Sequence, residues 1–201
     1  MRRAIGGPMP PRHPLPHLWL MTDERMGESL WNALARLPRG SGVVFRHYGL
    51  PLAERRALFA QVTRMARRRG LLVIRAGAER LGRGEAGVHG RRGAGLRTWP
   101  AHSRREAVAG IRAGADLLFV SPVFATRSHP GAPALGRARL GLMIRGLGVP
   151  VIALGGMDPH RAAGLRPLGI YGWAAIDAWI GQPGSPAKAG AQDYLPPRLW
   201  R

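Results

Sequence analysis

The chain contains no cysteine. That excludes disulfides, a thiolate zinc site and a cysteine nucleophile, and it fits a reducing compartment. Acidic residues are scarce, 11 against 31 basic ones, so a site built on several carboxylates has few residues to draw on. Lysine is almost missing too: Lys188 is the only one, and the net charge of +20 is nearly all arginine. No apolar run reaches the ~20 residues that a membrane-spanning helix needs. The basic N-terminus, Met1 to Pro8, is not followed by the hydrophobic segment of a signal peptide. The expectation is a cytoplasmic protein with no membrane partner.

What is present points to one domain. A length of 201 residues is enough to bury a core. The arginines are scattered through every segment apart from Arg67-Arg68-Arg69, beside 29 glycines and 18 prolines. This profile reads as a compositional bias, and no nucleic-acid motif accompanies it. Loose association with polyanions follows from the charge alone; a specific nucleic-acid partner does not.

Residues 1–16, rich in proline and arginine, are expected to form a flexible arm, and residues 181–201, rich in glycine, proline and alanine, a disordered tail. Between them, over 17–180, short apolar runs alternate with helical stretches. Strands are expected at Leu18–Met21, Val43–Phe45, Leu71–Ile74, Ala86–Val88, Leu96–Trp99, Leu117–Val120, Val149–Leu154 and Ile170–Ala175. Helices are expected over Ser29–Leu37, Pro51–Arg69, Ser103–Arg112 and Arg137–Gly146, and after Asp158-Pro159. Ser103 with Glu106 three residues on forms a capping box, and Pro51 and Gly70 suit a helix start and stop. Strands without polar alternation, each followed by a helix, imply a parallel α/β sheet. Eight of them imply a single small (β/α)8 TIM barrel, trimmed against the usual ~250 residues. Only about seven residues separate the fourth and fifth strands where a crossover takes a dozen or more, so the fourth helix must be reduced.

Barrels of this kind carry their active sites at the C-terminal strand ends. The residues there are Thr22, Asp23, Arg46, His47, Tyr48, Arg75, His89, His102, Ser103, Ser121 to His129, Gly155, Gly156 and Asp177. The set is rich in hydrogen-bond donors and positive charge and suits a small phosphorylated molecule. Gly155-Gly156 after the seventh strand can bring backbone N–H groups to a phosphate, or can be a plain strand-to-helix turn. Thr126 and Ser128, with Arg127 and His129, can hold a phosphate or form an ordinary surface loop.

Taken in order, these segments resemble the thiamine phosphate synthase/TenI family. The resemblance runs through Leu18-Trp19-Leu20-Met21-Thr22-Asp23, Val44-Phe45-Arg46, Gly87-Val88-His89, Ala101-His102-Ser103, Gly114-Ala115-Asp116, Ser121-Pro122-Val123-Phe124 with Thr126, and Val149 through Gly156-Met157. It implies that a hydroxymethylpyrimidine diphosphate is joined to a thiazole phosphate, giving thiamine phosphate and diphosphate. It assigns Thr126, Ser128, Gly155 and Gly156 to the thiazole phosphate and Arg46 to the leaving diphosphate. His129 takes the place of the family's loop lysine, and His102 and Ser103 fall on its Ser-x-His-Ser stretch.

The chain departs from the family pattern mainly in one half. Tyr48 stands for a lysine, Arg75-Ala76 for an Asn-Asp pair, and Gly90 to Ala94 contains no aspartate. Asp177 stands where the family has a serine. The resemblance implies magnesium, but its carboxylate ligands are missing from these positions, so the cofactor stays unknown. Arg75, Arg91 or Arg92 could meet a diphosphate directly instead. Three readings follow: a divergent synthase; a TenI-like protein that isomerises or senses a thiazole phosphate, with His102 or His129 moving protons; and an inactive barrel.

Overall fold

A computed structural model describes residues 15–126, 131 and 133–180. Eight parallel strands close into a barrel in sequence order: β1 Leu18–Met21, β2 Gly42–Phe45, β3 Leu72–Ala76, β4 Gly87–His89, β5 Leu96–Ala101, β6 Leu117–Val120, β7 Val151–Leu154 and β8 Gly172–Ala175. Closure is made by β1 against β8, with Leu20 opposite Ala175. β1, β2, β6 and β8 are buried along their whole length, which is why they read as unbroken apolar runs. The interior is filled by large side chains, among them Trp19, which meets Phe119 edge to face at 5.3 Å.

Among the described residues five α-helices cover the barrel: α1 Ser29–Arg36, α2 Leu52–Arg69, α3 Arg104–Arg112, α4 Gly136–Ile144 and α5 Pro159–Leu165. In α2 the buried face is Arg55, Phe59, Val62 and Ala66, a helical spacing that includes one arginine. A variant of the capping box forms: the N-cap Ser103 Oγ accepts from Glu106 N–H, and Glu106 accepts from the N–H of His102, one residue before the cap, at 2.9 Å. Asp158 caps α5 by accepting from Arg161 N–H at 2.8 Å.

The trimming goes further than the expected loss of the fourth helix. Neither the β3–β4 nor the β4–β5 connection contains a helix. β4 has only three residues and packs very close to β5; a Cβ on Gly87 would run into the Leu96 backbone. Leu15 and Pro16, from the expected arm, are tied to the barrel: their carbonyls accept from Tyr171 Oη at 2.8 Å and Trp19 Nε1 at 2.7 Å. The rest of the arm and the tail over 181–201 lie outside the described residues. No helix among the described residues is long and apolar enough to cross a membrane.

Candidate active site at the barrel mouth

A cleft of about 180 Å³ opens at the C-terminal ends of the strands. Five strands supply its wall: Arg46 follows β2, His102 follows β5, Ser121, Pro122 and Thr126 follow β6, Leu154, Gly155, Gly156 and Met157 belong to the end of β7, and Ala175, Ile176 and Asp177 to the end of β8. The strand-end rule thus brings Arg46, His102, Thr126, Gly155 and Gly156 together. Ser121 and Asp177 join them, the latter bringing a carboxylate to the wall opposite in charge to Arg46. Ser128 and His129 lie outside the described residues.

Gly155 and Gly156 are required by packing as well as by any ligand. Their φ angles are +96° and +59°, in the region that favours glycine. A Cβ on Gly155 would stand 2.8 Å from Pro122 Cα, and one on Gly156 would strike the Ala125 carbonyl. Backbone bonds knit the same two loops: Val123 N–H donates to Leu154 O at 2.9 Å and Phe124 N–H to Gly155 O at 3.1 Å. Arg161 adds a clip, donating to Gly156 O while its guanidinium lies 5.0 Å over the Phe124 ring. Gly156→Ala is expected to lower stability by about 1–3 kcal/mol through backbone strain and displacement of the 122–125 loop. Urea unfolding checks this; a midpoint equal to that of the parent would show that the two loops are not packed as described.

His102 has a defined tautomer. Its Nδ1 lies 2.8 Å from the Ser121 carbonyl, which can only accept, so Nδ1 carries the hydrogen and Nε2 of the neutral ring is an acceptor. Ser103 is occupied as the α3 cap, its hydroxyl also donating to Glu106 Oε1 at 3.2 Å, and it does not line the cleft.

Arg46 is held at its side chain by Asp23, at 3.5 Å. Burial pushes the Asp23 carboxyl up, but its hydrogen bonds from Arg25 and the Arg25 and Arg46 charges outweigh that and hold it below the usual carboxylate value. Asp177 in turn raises the pKa of Arg25, after the larger effect of the Asp23 hydrogen bond. The rim therefore carries alternating charges.

Arg75 is not in this cleft. It is buried, with its Nε donating to Glu85 Oε2 at 2.8 Å and Nη1 to Gly77 O at 2.6 Å. Arg91 also donates to Gly77 O, at 3.2 Å, and Arg55 pairs with Glu79 at 3.3 Å. The side of the mouth formed by β2 to β4 is thus filled with arginine–carboxylate pairs. Among the described residues no three of His, Asp or Glu come together as a metal site, and Asp23, Glu79 and Glu85 each face a guanidinium. These residues do not fit magnesium. Sequence reasoning missed Glu79, Glu85 and Arg55; the signal for Arg55 was its place on the apolar face of α2.

Comparison with known proteins agrees with this geometry. Residues 98–179, which supply β5 to β8 and most of the cleft, match the family described as thiamine monophosphate synthase. Over 86 residues the chain is 41% identical to the thiamine-phosphate synthase of Salinispora tropica, covering 42% of this chain and 41% of that one. It is 36% identical over 81 residues to that of Chloroflexus aurantiacus, covering 40% and 38%. A thiamine biosynthesis bifunctional protein of Symbiobacterium thermophilum is 30% identical over 94% of this chain and 44% of its own. The chain spans less than half the length of these curated relatives. The thiamine phosphate pyrophosphorylase structure from Pyrococcus furiosus superimposes with a TM-score of 0.70 at 22% identity, covering 84% of this chain and 88% of that one, and so shares the barrel. A closed eight-stranded barrel, a cleft built mostly by its second half and a match over that same half agree: residues 98–179 of the chain are similar to the thiamine monophosphate synthase family.

Proposed function

We propose that the chain works as a thiamine phosphate synthase-like transferase, joining a hydroxymethylpyrimidine diphosphate to a thiazole phosphate. The observation that carries this is the coincidence of the cleft with the family-matched segment, residues 98–179. In this reading the thiazole lies against Pro122, Leu154, Met157 and Ile176, with its phosphate toward Thr126 and the Gly155-Gly156 turn. The thiazole nitrogen attacks the pyrimidine methylene carbon as the bond from that carbon to the diphosphate oxygen breaks, and diphosphate leaves with the bonding pair. Arg46 faces the anionic charge. No step is assigned to a metal.

Mixing the protein with both substrates, with and without magnesium, and following thiamine phosphate by thiochrome fluorescence tests the proposal. Product above a protein-free control is expected. Absence of product under both conditions would sink the transferase reading.

A second reading is favoured by two features. The cleft is smaller than the ~300–1,000 Å³ of most ligand pockets, enough for a single ring, and the β2–β4 side is taken up by ion pairs. Both suit a TenI-like protein that takes one thiazole phosphate, with His102 Nε2 as the proton acceptor. Binding of the thiazole phosphate by calorimetry without any synthase product would select it.

A further inference from the structure

Three buried polar side chains gather around the backbone of Arg46 at the barrel mouth: two bond the peptide groups on either side of it, and the third bonds one of those two. Thr22 is 0%, Arg55 4% and His47 5% exposed. Arg46 N–H donates to Thr22 Oγ1 at 3.0 Å. The Arg46 carbonyl accepts twice from Arg55, from Nη2 at 2.8 Å and from Nε at 3.2 Å. Thr22 Oγ1 also lies 3.0 Å from His47 Nδ1. The hydroxyl has one hydrogen and two lone pairs, so it serves both bonds, with the direction of the second set by the ring's tautomer.

Each group is itself anchored. Arg55 also donates to Ala76 O at 2.7 Å, tying the ends of β2 and β3 together. His47 stacks on Phe45 at 4.8 Å. It has φ +34°, the one positive value for a residue other than glycine among those described, a conformation that persists where the surroundings over-determine it. Buried polar groups are costly unless satisfied. Here they are satisfied by one another and by the two peptide groups flanking Arg46, whose side chain lines the cleft. That side chain is 24% exposed and otherwise held by one long contact to Asp23.

We propose that Thr22 and Arg55, with His47 bonded to Thr22, are positioning residues that fix the two peptide groups flanking Arg46 and so aim its guanidinium into the cleft as the cation for the ligand's anionic group. This rests on the reading of the cleft as a thiazole phosphate site. A guanidinium held from its backbone loses less freedom on binding than one on a mobile loop, which favours affinity.

The test is a double-mutant cycle on the full chain. Hydroxyethylthiazole phosphate is the probe, titrated by calorimetry, with thermal midpoints recorded alongside. Arg46→Met and Thr22→Val are each expected to weaken binding by about tenfold or more, the size of a lost charge-assisted contact. Thr22→Ser, which restores the oxygen, is expected to bind as the parent does. Arg55→Lys keeps one donor and is expected to fall between. In the Arg46→Met background, Thr22→Val should cause no further loss. A Thr22→Val effect of the same size in both backgrounds would overturn the proposal, because a general weakening of the fold does not depend on Arg46. So would parent-like binding by Thr22→Val when Arg46→Met is impaired; in that case the cleft reading stands. No probe binding by the parent would overturn the cleft reading and the proposal with it; equal binding by the parent and Arg46→Met would overturn the proposal while the cleft reading stands, the phosphate then being held at Thr126 and the Gly155-Gly156 turn.

Discussion

Arg75→Met is expected to cost about 3–5 kcal/mol of folding stability while leaving unchanged the affinity for thiazole phosphate, the ligand proposed for the cleft. The cost follows from burial. The Arg75 and Glu85 side chains are 8% and 12% exposed and meet at 2.8 Å, and removing one partner of such a pair strands the other charge in the interior. Glu85 is further committed, since its Oε1 accepts from Leu81 N–H at 2.6 Å. The unchanged affinity follows from geometry: Arg75 spends its Nε on Glu85 and its Nη1 on the Gly77 carbonyl, and it does not line the cleft. Pairing the change with Glu85→Gln removes the stranded charge and keeps an acceptor for Leu81, so most of the stability should return. Urea unfolding of the three variants measures the first part, and calorimetry at low temperature the second. A folded Arg75→Met protein with parent-like stability and no ligand binding would return Arg75 to the binding site.

That pair also marks where the sequence stopped being legible. Taking the third strand to end at Ile74 left Arg75 just beyond it, among residues that face the mouth. The strand runs on to Ala76, which puts Arg75 inside the sheet. Its partner lies ten residues away in a loop with no periodic signal, so nothing local could have paired the two. Short strands with fully apolar sequences were legible because they are buried on both faces. The α3 and α5 caps were legible because Ser103 and Asp158 act within three residues of themselves. The cleft was legible in outline, because parallel strands of a barrel all end at the same face and the residue after each end must be near the others. What holds Arg46 in place was not: Thr22 follows β1 and Arg55 lies on α2, and only the folded barrel brings them to the two peptide groups flanking Arg46.

Acid should unfold this barrel earlier than its few carboxylates would. His89, on the short β4, has Nδ1 2.8 Å from Thr98 Oγ1 and its ring edge-on to Phe119 at 5.2 Å. Burial first, and the Arg46 charge second, lower its pKa from 6.5 to about 4. The folded state therefore holds the neutral ring, while the unfolded chain takes up a proton near pH 6.5. Stability from this residue is complete above pH 6.5 and is lost as the pH falls toward 4, by about 1.4 kcal/mol per unit and on the order of 3 kcal/mol in all. Burial shifts His47 the same way and adds to the loss in the same direction. Asp23 has a lowered carboxyl pKa and so contributes its loss only at lower pH, below the usual aspartate value. His89→Gln keeps a side chain able to bond Thr98 and removes the titration. Urea unfolding at pH 7.5 and pH 4.5 should then show a smaller drop for His89→Gln than for the parent, the difference being the share of His89. An equal drop in the two proteins would mean that the ring is wet enough to protonate in the folded barrel, and that the floor of the mouth is open to water at β4.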